Sequence, residues 1–294
     1  MSKASLSLCM IVRNEERTLP RCLDAVRSLC SEMVIVDTGS TDMTPEIASG
    51  YGAKVTHFDF TFVDFAAARN HGLKLATGQW ILVLDADEIL HSESLPLVEE
   101  FLSRNDNAGY YFERVNYHGN SKTTTTDYAV RLFPNRADYR FRGRVHETVE
   151  ASILAAGGFL VRTPVRIDHD FACDPETRRE KNLRYLGILN EEIAANPSDD
   201  SRLDFLATEY HQLGMFNKAA DVAERIARVR PLDARAQLHA GVYHLLYKVD
   251  PERARADFMQ ALTLRPDYPE AESFLQLLDE RDRAAVPQGS VSTT

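Results

Sequence analysis

The sequence predicts an α/β domain with a mixed, mainly parallel sheet and flanking helices, followed by an all-α repeat domain. In the first ninety residues, short and continuously apolar runs alternate with segments of helical periodicity. This alternation is typical of a doubly wound sheet whose strands are covered by helices on both faces. From Pro175 onward, apolar residues recur at helical spacing. We therefore expect domains at 1–172 and 173–284, and a disordered tail at 285–294.

The overall charge and the apolar runs exclude several classes of protein. The chain carries 34 Lys and Arg against 44 Asp and Glu, a net charge of −10 that is unsuited to a general nucleic-acid binder. The densest apolar runs, 6–12 and 80–84, are far shorter than the roughly 20 residues that cross a bilayer. Because no signal-peptide pattern opens the chain and the four cysteines show no disulfide spacing, we expect a cytoplasmic protein.

Four strands and three helices are predicted before residue 90. The strands are placed at 5–12, 33–37, 54–58 and 79–84, and the helices at 16–29, 44–51 and 66–75. Between 109 and 170, aromatic and β-branched segments are separated by Asn, Gly and Pro, which predicts hairpins and loops around the edge of the sheet. Ligands of such sheets bind at the carboxyl ends of the strands, so the residues that follow each strand are the candidates for function.

The second domain shows an internal repeat. Pro197, Pro231 and Pro266 stand 34 and 35 residues apart, and each closes a helix-like stretch. Between the first two prolines, small and large residues fit the tetratricopeptide pattern. The next unit fits that pattern only with one residue inserted near Val249, so ordinary helical hairpins are the alternative interpretation.

The motif that points most directly to chemistry is the acidic pair Asp85 and Asp87. It directly follows the apolar strand at 79–84, in the sequence Leu-Asp-Ala-Asp-Glu. Carboxylates in this place would leave the apolar layer together and offer oxygen ligands to a divalent cation that also binds a diphosphate. Considered alone, the pair also fits a solvated loop or a helix N-cap.

Polar motifs follow other predicted strands at the same edge. The first strand ends in Cys-Met-Ile-Val-Arg-Asn-Glu-Glu, the second in Val-Asp-Thr-Gly-Ser-Thr-Asp, and the third helix contains Ala-Ala-Ala-Arg-Asn. Together with the acidic pair, these motifs resemble the family 2 glycosyltransferases of the Rossmann-like GT-A fold, in particular those that carry C-terminal tetratricopeptide repeats. The resemblance is close over 5–90 and weaker over 110–170.

The resemblance implies a nucleotide-sugar donor, with UDP favoured, and transfer of its sugar to an acceptor. On this basis Asp37 would contact the nucleobase, Asp85 the ribose or the sugar, and Asp87 would bind Mn²⁺ or Mg²⁺. The other donor-site residues that the resemblance implies are Val12, Asn14, Glu15, Arg69, Asn70 and Ala86.

The segment 140–147 concentrates cations beside a carboxylate. Arg140, Arg142 and Arg144 would hold a diphosphate and stabilise it as a leaving group, although a solvated charge run on a hairpin has the same pattern. Glu147 lies 62 residues after the first acid of the pair, in the stretch where related inverting enzymes carry their catalytic carboxylate. We expect Glu147 to act as the general base that deprotonates the acceptor.

His169 lies between two acids, Asp168 and Asp170, at the end of an apolar run. Imidazole suits Mn²⁺, and related enzymes place a histidine late in the catalytic domain, so His169 is the second candidate metal ligand. In this chain Asp-Phe-Ala follows it instead of the usual Tyr-Gly-Tyr, and a histidine that caps a strand end is the alternative. The two flanking aspartates compete with Glu147 for the role of base.

The sequence therefore favours a metal-dependent, inverting glycosyltransferase. Its helical region would bind a peptide or protein acceptor or form a homodimer, while saccharides and small molecules are further acceptor classes. The alternative is a repeat-based interaction protein with an inactive GT-A domain. A nucleotidyltransferase is disfavoured because residues 5–20 contain no glycine for a phosphate-binding loop. Neither a nucleic-acid partner nor an integral membrane segment is expected.

Overall fold

The computed structural model describes residues 4–104, 106–117, 124–170 and 175–285. The chain divides into two compact units, Met1–Asp174 and Pro175–Thr294. The sequence places this division two residues earlier. Cys173 and the tail from residue 286 lie outside the described residues.

The first unit is built on a mixed sheet that contains eight strands among the described residues. Their order across the sheet is β3-β2-β1-β4-β7-β6-β8-β5. Neighbouring strands from β3 to β4 run parallel, β7 runs antiparallel to both β4 and β6, and β6 runs parallel to β8. The strands are β1 (Leu6–Val12), β2 (Glu32–Asp37), β3 (Lys54–His57), β4 (Trp80–Val83), β5 (Glu88–Leu90), β6 (Ala108–Tyr117), β7 (Thr124–Pro134) and β8 (Phe159–Asp170).

Helices cover both faces of this sheet, as the doubly wound pattern predicts. Alternate residues of β1 point to opposite faces, so Leu8 packs with Leu23 on one side while Cys9 packs with Leu73 on the other. Each fully buried leucine contributes about 1.5–3 kcal/mol relative to an exposed one. The helices are α1 (Leu19–Val26), α2 (Thr44–Gly50), α3 (Phe65–Leu75), α4 (Leu95–Leu102) and α5 (Glu150–Ala155).

Helix α1 is shorter than the predicted span of 16–29. Residues before it form a turn in which the carbonyl of Glu15 accepts the amides of Thr18 and Leu19. Pro20 occupies the first turn of the helix, where its missing amide hydrogen costs nothing. The helical pattern of the sequence thus extends across a turn that the structure places outside the helix.

The segment 109–170 contains the antiparallel pairing that a hairpin requires, between β6 and β7, but this pair does not lie at the sheet edge as predicted. Strands β6 and β7 lie inside the sheet, where β7 pairs with β4 and β6 pairs with β8. The aromatic residues of this segment fill the core, since Tyr110 and Phe133 are buried and Tyr110 stacks on Phe101 with ring centroids 4.4 Å apart. Their apolar surface is buried best where both faces of the sheet are covered.

The second unit consists of helices joined by short connections. Helices α7 and α8 pack together, as do α9 and α10. Gly241 of α9 is required at its contact with α10, because a Cβ there would lie 2.6 Å from the ring of Phe258. The helices are α6 (Pro175–Ala195), α7 (Leu203–Gln212), α8 (Phe216–Val229), α9 (Ala234–Tyr243), α10 (Pro251–Leu264) and α11 (Pro269–Ala285).

A wide helical turn interrupts the repeat at the place where the sequence pattern needs an inserted residue. The π-type turn His244–Lys248 follows α9, and Val249 after it has a left-handed φ of 54°. A π-turn accommodates one extra residue within a helical run. The assignment of these helices to tetratricopeptide repeats stays a prediction.

Within the described part of the chain, none of the helices has the length and apolar composition to cross a bilayer.

Candidate functional site

The carboxyl ends of β1, β2 and β4 meet at one edge of the sheet, where the sequence placed its polar motifs. Val12 and Asp37 are register partners at the ends of β1 and β2. The loops after these strands are tied together by Asn14, whose Oδ1 accepts the amide of Thr41 at 2.8 Å and whose own amide donates to the Ser40 hydroxyl at 3.0 Å. The two loops at this edge are therefore held in a fixed arrangement.

Asp37 is held by its own loop. Its carboxylate accepts the amides of Gly39 and Ser40 at 3.2 and 3.1 Å, and the left-handed φ of 101° at Gly39 allows this turn. Val12 and Ala86, both expected in the donor site, are buried in the core below the edge. Only the backbone groups of these two residues can therefore meet a nucleoside.

Glu15 extends the edge towards the acidic pair. Its carboxylate accepts the Thr18 hydroxyl at 2.6 Å. Burial raises the pKa of Glu15, the Thr18 hydrogen bond opposes that effect, and the negative charges of Asp87 and Asp85 raise the pKa further. The net result is a raised pKa. Glu15 thus stands in the electrostatic field of the acidic pair.

Arg69 joins the first acid of the pair to the expected base. Asp64 caps α3 by accepting the amide of Ala67 at 2.8 Å, and Arg69 projects from the second turn of this helix. Its Nη2 donates to Oδ1 of Asp85 and its Nε to Oε1 of Glu147, both at 2.6 Å. Because the arginine is only 8% exposed, both bonds are charge-assisted contacts in a largely dehydrated place.

A second arginine, Arg131, holds the other oxygen of Asp85. Its Nη2 lies 3.0 Å from Oδ2 of Asp85 and also donates to Glu88. Burial raises the pKa of Asp85, but the charges of Arg69 and Arg131 outweigh burial and hold that pKa well below its usual range. Asp85 is therefore an ionised carboxylate held between two guanidinium groups.

Asp87, the second acid of the pair, faces His169. Nε2 of His169 lies 3.2 Å from Oδ2 of Asp87, and Nδ1 lies 2.6 Å from Oδ1 of Asn116. The amide nitrogen of Asn116 donates to Asp127 at 3.2 Å, which leaves its oxygen to accept the Nδ1 proton. In the neutral tautomer, Nε2 would then present a lone pair to the carboxylate.

A divalent cation between Asp87 and His169 would satisfy both lone pairs. One carboxylate and one imidazole form a donor set suited to Mn²⁺, and Mg²⁺ is commonly held by one or two carboxylates together with substrate phosphates. The described residues contain no cluster of three or more potential ligands. The residues present therefore fit a cation that completes its shell with the ligand's phosphates and water.

Without such a cation, His169 has a raised pKa. Burial opposes protonation, but the hydrogen bond and charge of Asp87 and the charge of Glu88 outweigh it.

Glu147 is presented by a closed loop. Two backbone hydrogen bonds, 2.9 and 3.0 Å long, join Arg142 to Thr148, and Val145 is buried inside the loop. The side-chain amide of Asn70 donates through Nδ2 to the carbonyl of Phe141 and accepts the backbone amide of Phe141 at Oδ1, each at 2.9 Å. These two bonds connect α3 to the start of the loop. The structure gives Asn70 this structural task, and its contact with a nucleotide stays a prediction.

The three arginines of 140–147 do not act as one group. Nη1 of Arg140 donates to the carbonyls of Arg136 and Tyr139, so it supports its own loop. Nε of Arg144 donates to the carbonyl of Val63, and its guanidinium lies 3.8 Å from the ring centroid of Phe62. Arg142 is exposed. Arg69 and Arg131, by contrast, donate hydrogen bonds to the carboxylate of Asp85.

The competing base Asp168 is engaged elsewhere. Its carboxylate lies 2.8 Å from Nε2 of His91 and 3.0 Å from Nε of Arg166. The side chain of Asp170 lies outside the described residues. Glu147, whose partner Arg69 also holds Asp85, is the candidate that the structure links directly to the acidic pair.

Sequence reasoning missed the network of charged and polar side chains around β6 and β7. Arg131 is one signal that was available, since it is the single charged residue in the apolar run 129–133. Its partners lie more than forty residues away in the chain, so the pairing itself cannot be read locally. The residues of this network that were not assigned to the site are Glu88, Arg114, Asn116, Asp127 and Arg131.

Comparisons with known proteins give relatives among glycosyltransferases. The chain is 43% identical over 152 residues to a TPR repeat-containing protein of Synechococcus elongatus, covering 52% of this chain and 37% of the relative. It is 26% identical over 225 residues to the SPbeta prophage-derived glycosyltransferase SunS of Bacillus subtilis, covering 74% of this chain and 51% of SunS. The chain thus spans about a third to a half of the length of these relatives.

A solved structure, S. aureus TarS 1–349 in complex with UDP-GlcNAc, aligns with 95% of this chain and 92% of its own, at 15% identity and a TM-score of 0.48. The sequence model of glycosyl transferase family 2 matches residues 7–177, which is more than half of the chain. The site described above lies within this match. The chain therefore belongs to glycosyltransferase family 2.

Proposed function

We propose that this chain is a metal-dependent glycosyltransferase that moves a sugar from a nucleotide-sugar donor, with inversion, to an acceptor. The observation that carries the proposal is the pairing of Asp87 with His169 beside the Asp85–Arg69–Glu147 network, inside the segment that matches family 2. The glycosyltransferase relative SunS supports the same reaction class. UDP is the first nucleotide to test because it is the common donor nucleotide of the related enzymes.

The donor would lie across the edge formed by β1, β2 and β4. The loop that holds Asp37 would receive the nucleobase, and the backbone of the edge at Val12 and Ala86 would line the nucleoside. Asp87 and His169 would hold Mn²⁺ or Mg²⁺ against the diphosphate. When bound, such a cation neutralises the charge that develops on the departing diphosphate.

Glu147 would act as the base. Nε of Arg69 donates to Oε1 of Glu147 at 2.6 Å, which fixes the carboxylate. Oε2 would then face the acceptor. In the transfer, Glu147 takes the acceptor proton, the acceptor atom bonds to the anomeric carbon, and the bond from that carbon to the diphosphate oxygen breaks. The nucleoside diphosphate leaves with the electron pair, and attack from the side opposite to it inverts the sugar.

The helical unit would bind the acceptor. It contains a groove of about 440 Å³ between α7 and α9, which is within the size range of ligand-binding clefts. Ala207 and Ala236 form part of its floor, while His211, Arg235 and Tyr243 supply polar and aromatic groups. Because stacked helical repeats form extended concave binding surfaces, we place a peptide or protein acceptor before saccharides and small molecules. A homodimer through the helical unit is the other use of such a surface.

A thermal-shift panel tests the donor site. UDP, GDP, CDP and TDP are each added with and without Mn²⁺ to the full chain, to Asp87→Ala and to the exposed control Asp24→Ala. A ligand at 100 times its Kd stabilises the native state by about 2.7 kcal/mol. We expect one nucleotide to raise the melting temperature of the wild type and of Asp24→Ala only with Mn²⁺, and to leave Asp87→Ala unchanged.

No shift with any nucleotide would overturn the proposed donor site. A shift of equal size in Asp87→Ala would overturn the role of the acidic pair. Once the nucleotide is known, release of the free nucleoside diphosphate from the matching sugar donors identifies the sugar, and Glu147→Gln is expected to abolish that release while retaining nucleotide binding.

A further inference from the structure

Arg131 and Glu88 form a buried ion pair beneath the acidic pair. Arg131 is 6% exposed and Glu88 is fully buried. Arg131 donates to Oε1 of Glu88, and Nη1 of Arg114 donates to the same oxygen at 3.3 Å. Strand β7 supplies Arg131, β6 supplies Arg114, and Glu88 begins β5, so three strands meet at this point.

Both members of the pair contact Asp85. Nη2 of Arg131 lies 3.0 Å from Oδ2 of Asp85. Oε2 of Glu88 accepts the backbone amide of Asp85 at 3.1 Å, and the amide of Glu88 donates to the carbonyl of Asp85 at 3.0 Å. Arg131 and Glu88 thus hold the main chain of Asp85 and one of its carboxylate oxygens, while Arg69 holds the other oxygen.

Stability is a poor explanation for this arrangement. The loss of hydration of two buried charges can exceed their mutual attraction, and apolar residues of similar volume often stabilise a protein at least as well. Nε of Arg131 is in addition buried without a hydrogen-bond partner among the described residues, which is unfavourable because a desolvated donor is left unsatisfied. What the pair does achieve is the fixed orientation of Asp85.

The network continues to the other half of the site. Arg114 forms a two-pronged ion pair with Asp127 at 2.8 and 2.9 Å, and Asn116 donates to the same carboxylate. Asn116 in turn orients His169. This second arm leads from Arg114 to His169, whereas the direct contacts of Arg131 are with Asp85 and Glu88.

We propose that Arg131 is a positioning residue for the donor site, which acts by holding the Asp85 carboxylate in place for the ribose or sugar of the nucleotide. The inference rests on the proposed function. Replacing Arg131 removes the guanidinium group that bonds to both Glu88 and Asp85. The carboxylate of Asp85 is then held by Arg69 and turns towards it. The expected consequence is weaker nucleotide binding, transmitted through Asp85 alone.

A double-mutant cycle on nucleotide affinity tests this mechanism. The Kd of UDP, or of the nucleotide identified above, is measured with Mn²⁺ by calorimetry for the wild type, Arg131→Met, Asp85→Asn and the double variant. Arg131→Met is expected to weaken binding about tenfold or more, as supporting residues of a binding site commonly do. In the Asp85→Asn background the same substitution is expected to change Kd less than about twofold, because the carboxylate charge that Arg131 holds has already been removed.

Two controls separate this role from a merely structural one. All titrations are made at a temperature where the fluorescence of Trp80, the single tryptophan and part of β4, shows a folded sheet. Arg136→Met removes a partly exposed arginine that lies shortly after β7 and pairs with Asp138, and is expected to leave Kd unchanged. If Arg131→Met fails to fold, Arg131→Lys replaces it, because lysine keeps the positive charge but lacks the planar guanidinium group. Arg131→Lys is expected to show the same non-additive effect on Kd.

The outcomes are distinguishable. The positioning role would be overturned if Arg131→Met raised the nucleotide Kd by the same factor in the wild-type and Asp85→Asn backgrounds. It would also be overturned if Arg131→Met had the Kd of the wild type. Either result would leave the donor site intact. A wild type that binds none of the four nucleotides would overturn the proposed function, and the inference with it.

Discussion

Replacing Arg69 with methionine should destabilise the first unit strongly. The substitution removes two 2.6 Å charge-assisted bonds, to Asp85 and to Glu147, and keeps the apolar volume. Breaking a buried ion pair by removing one partner costs about 3–5 kcal/mol. Asp85 keeps Arg131, so we expect the lower end, about 3 kcal/mol, which corresponds to a fall of about 6–12 °C in the melting temperature of a unit of this size.

The assay follows Trp80 fluorescence, because this residue reports on the sheet of the first unit. Arg27→Met is the matched control, since Arg27 pairs with Asp24 at 3.8 Å on the surface and its removal should cost less than about 1 kcal/mol. Glu147→Gln combined with Arg69→Met should recover part of the loss, because it removes a carboxylate left without its partner. Equal melting temperatures for Arg69→Met and Arg27→Met would refute the reasoning.

Three further substitutions follow from the structure. Gly158→Ala should destabilise by about 1–3 kcal/mol in thermal melts because its Cβ would lie 2.5 Å from the carbonyl of Asn107, whereas Gly50→Ala, with open space around it, should be neutral or stabilising. Asn70→Ala should cost about 2–3 kcal/mol in denaturant titrations, because it deletes two 2.9 Å bonds and leaves two backbone groups unpaired; an unchanged midpoint would contradict this. Glu15→Gln should raise the melting temperature at pH 7, since the raised pKa of Glu15 means that its charge costs stability at neutral pH. That gain should vanish as the pH falls below the ordinary value of about 4.5, and a gain independent of pH would contradict the assignment.

The strands of the first half were predictable because their signal is local. Continuous apolar runs locate β1 to β4 within one residue of the observed bounds, and the same runs explain why polar residues gather at their ends. The start of α1 was predicted three residues too early, since the apolar spacing cannot show that the carbonyl of Glu15 closes a separate turn. A turn and a first helical turn have similar local patterns.

The second half of the sheet depends on pairings that no local pattern contains. Strand β7 lies beside β4 although 40 residues separate the end of one from the start of the other, and their register decides that Arg131 reaches Asp85. The sequence shows that Arg131 is a charged residue in an apolar run. Its contacts with Asp85 and Glu88 can be known only from the fold, which brings these charges together. The roles of Asp87, His169 and Glu147 as functional residues stay predictions that the geometry supports.

The central claim is that Asp87 and His169 form a cation-dependent site for a nucleoside diphosphate. Calorimetric titration of UDP and of UMP, each with and without Mn²⁺, tests it most directly in the wild type, Asp87→Ala and the exposed control Asp24→Ala. We predict one UDP per chain with an affinity at least tenfold higher in the presence of Mn²⁺, a smaller cation effect for UMP, and no cation effect in Asp87→Ala. Equal UDP affinity with and without Mn²⁺ in the wild type, or an unchanged cation effect in Asp87→Ala, would contradict the account.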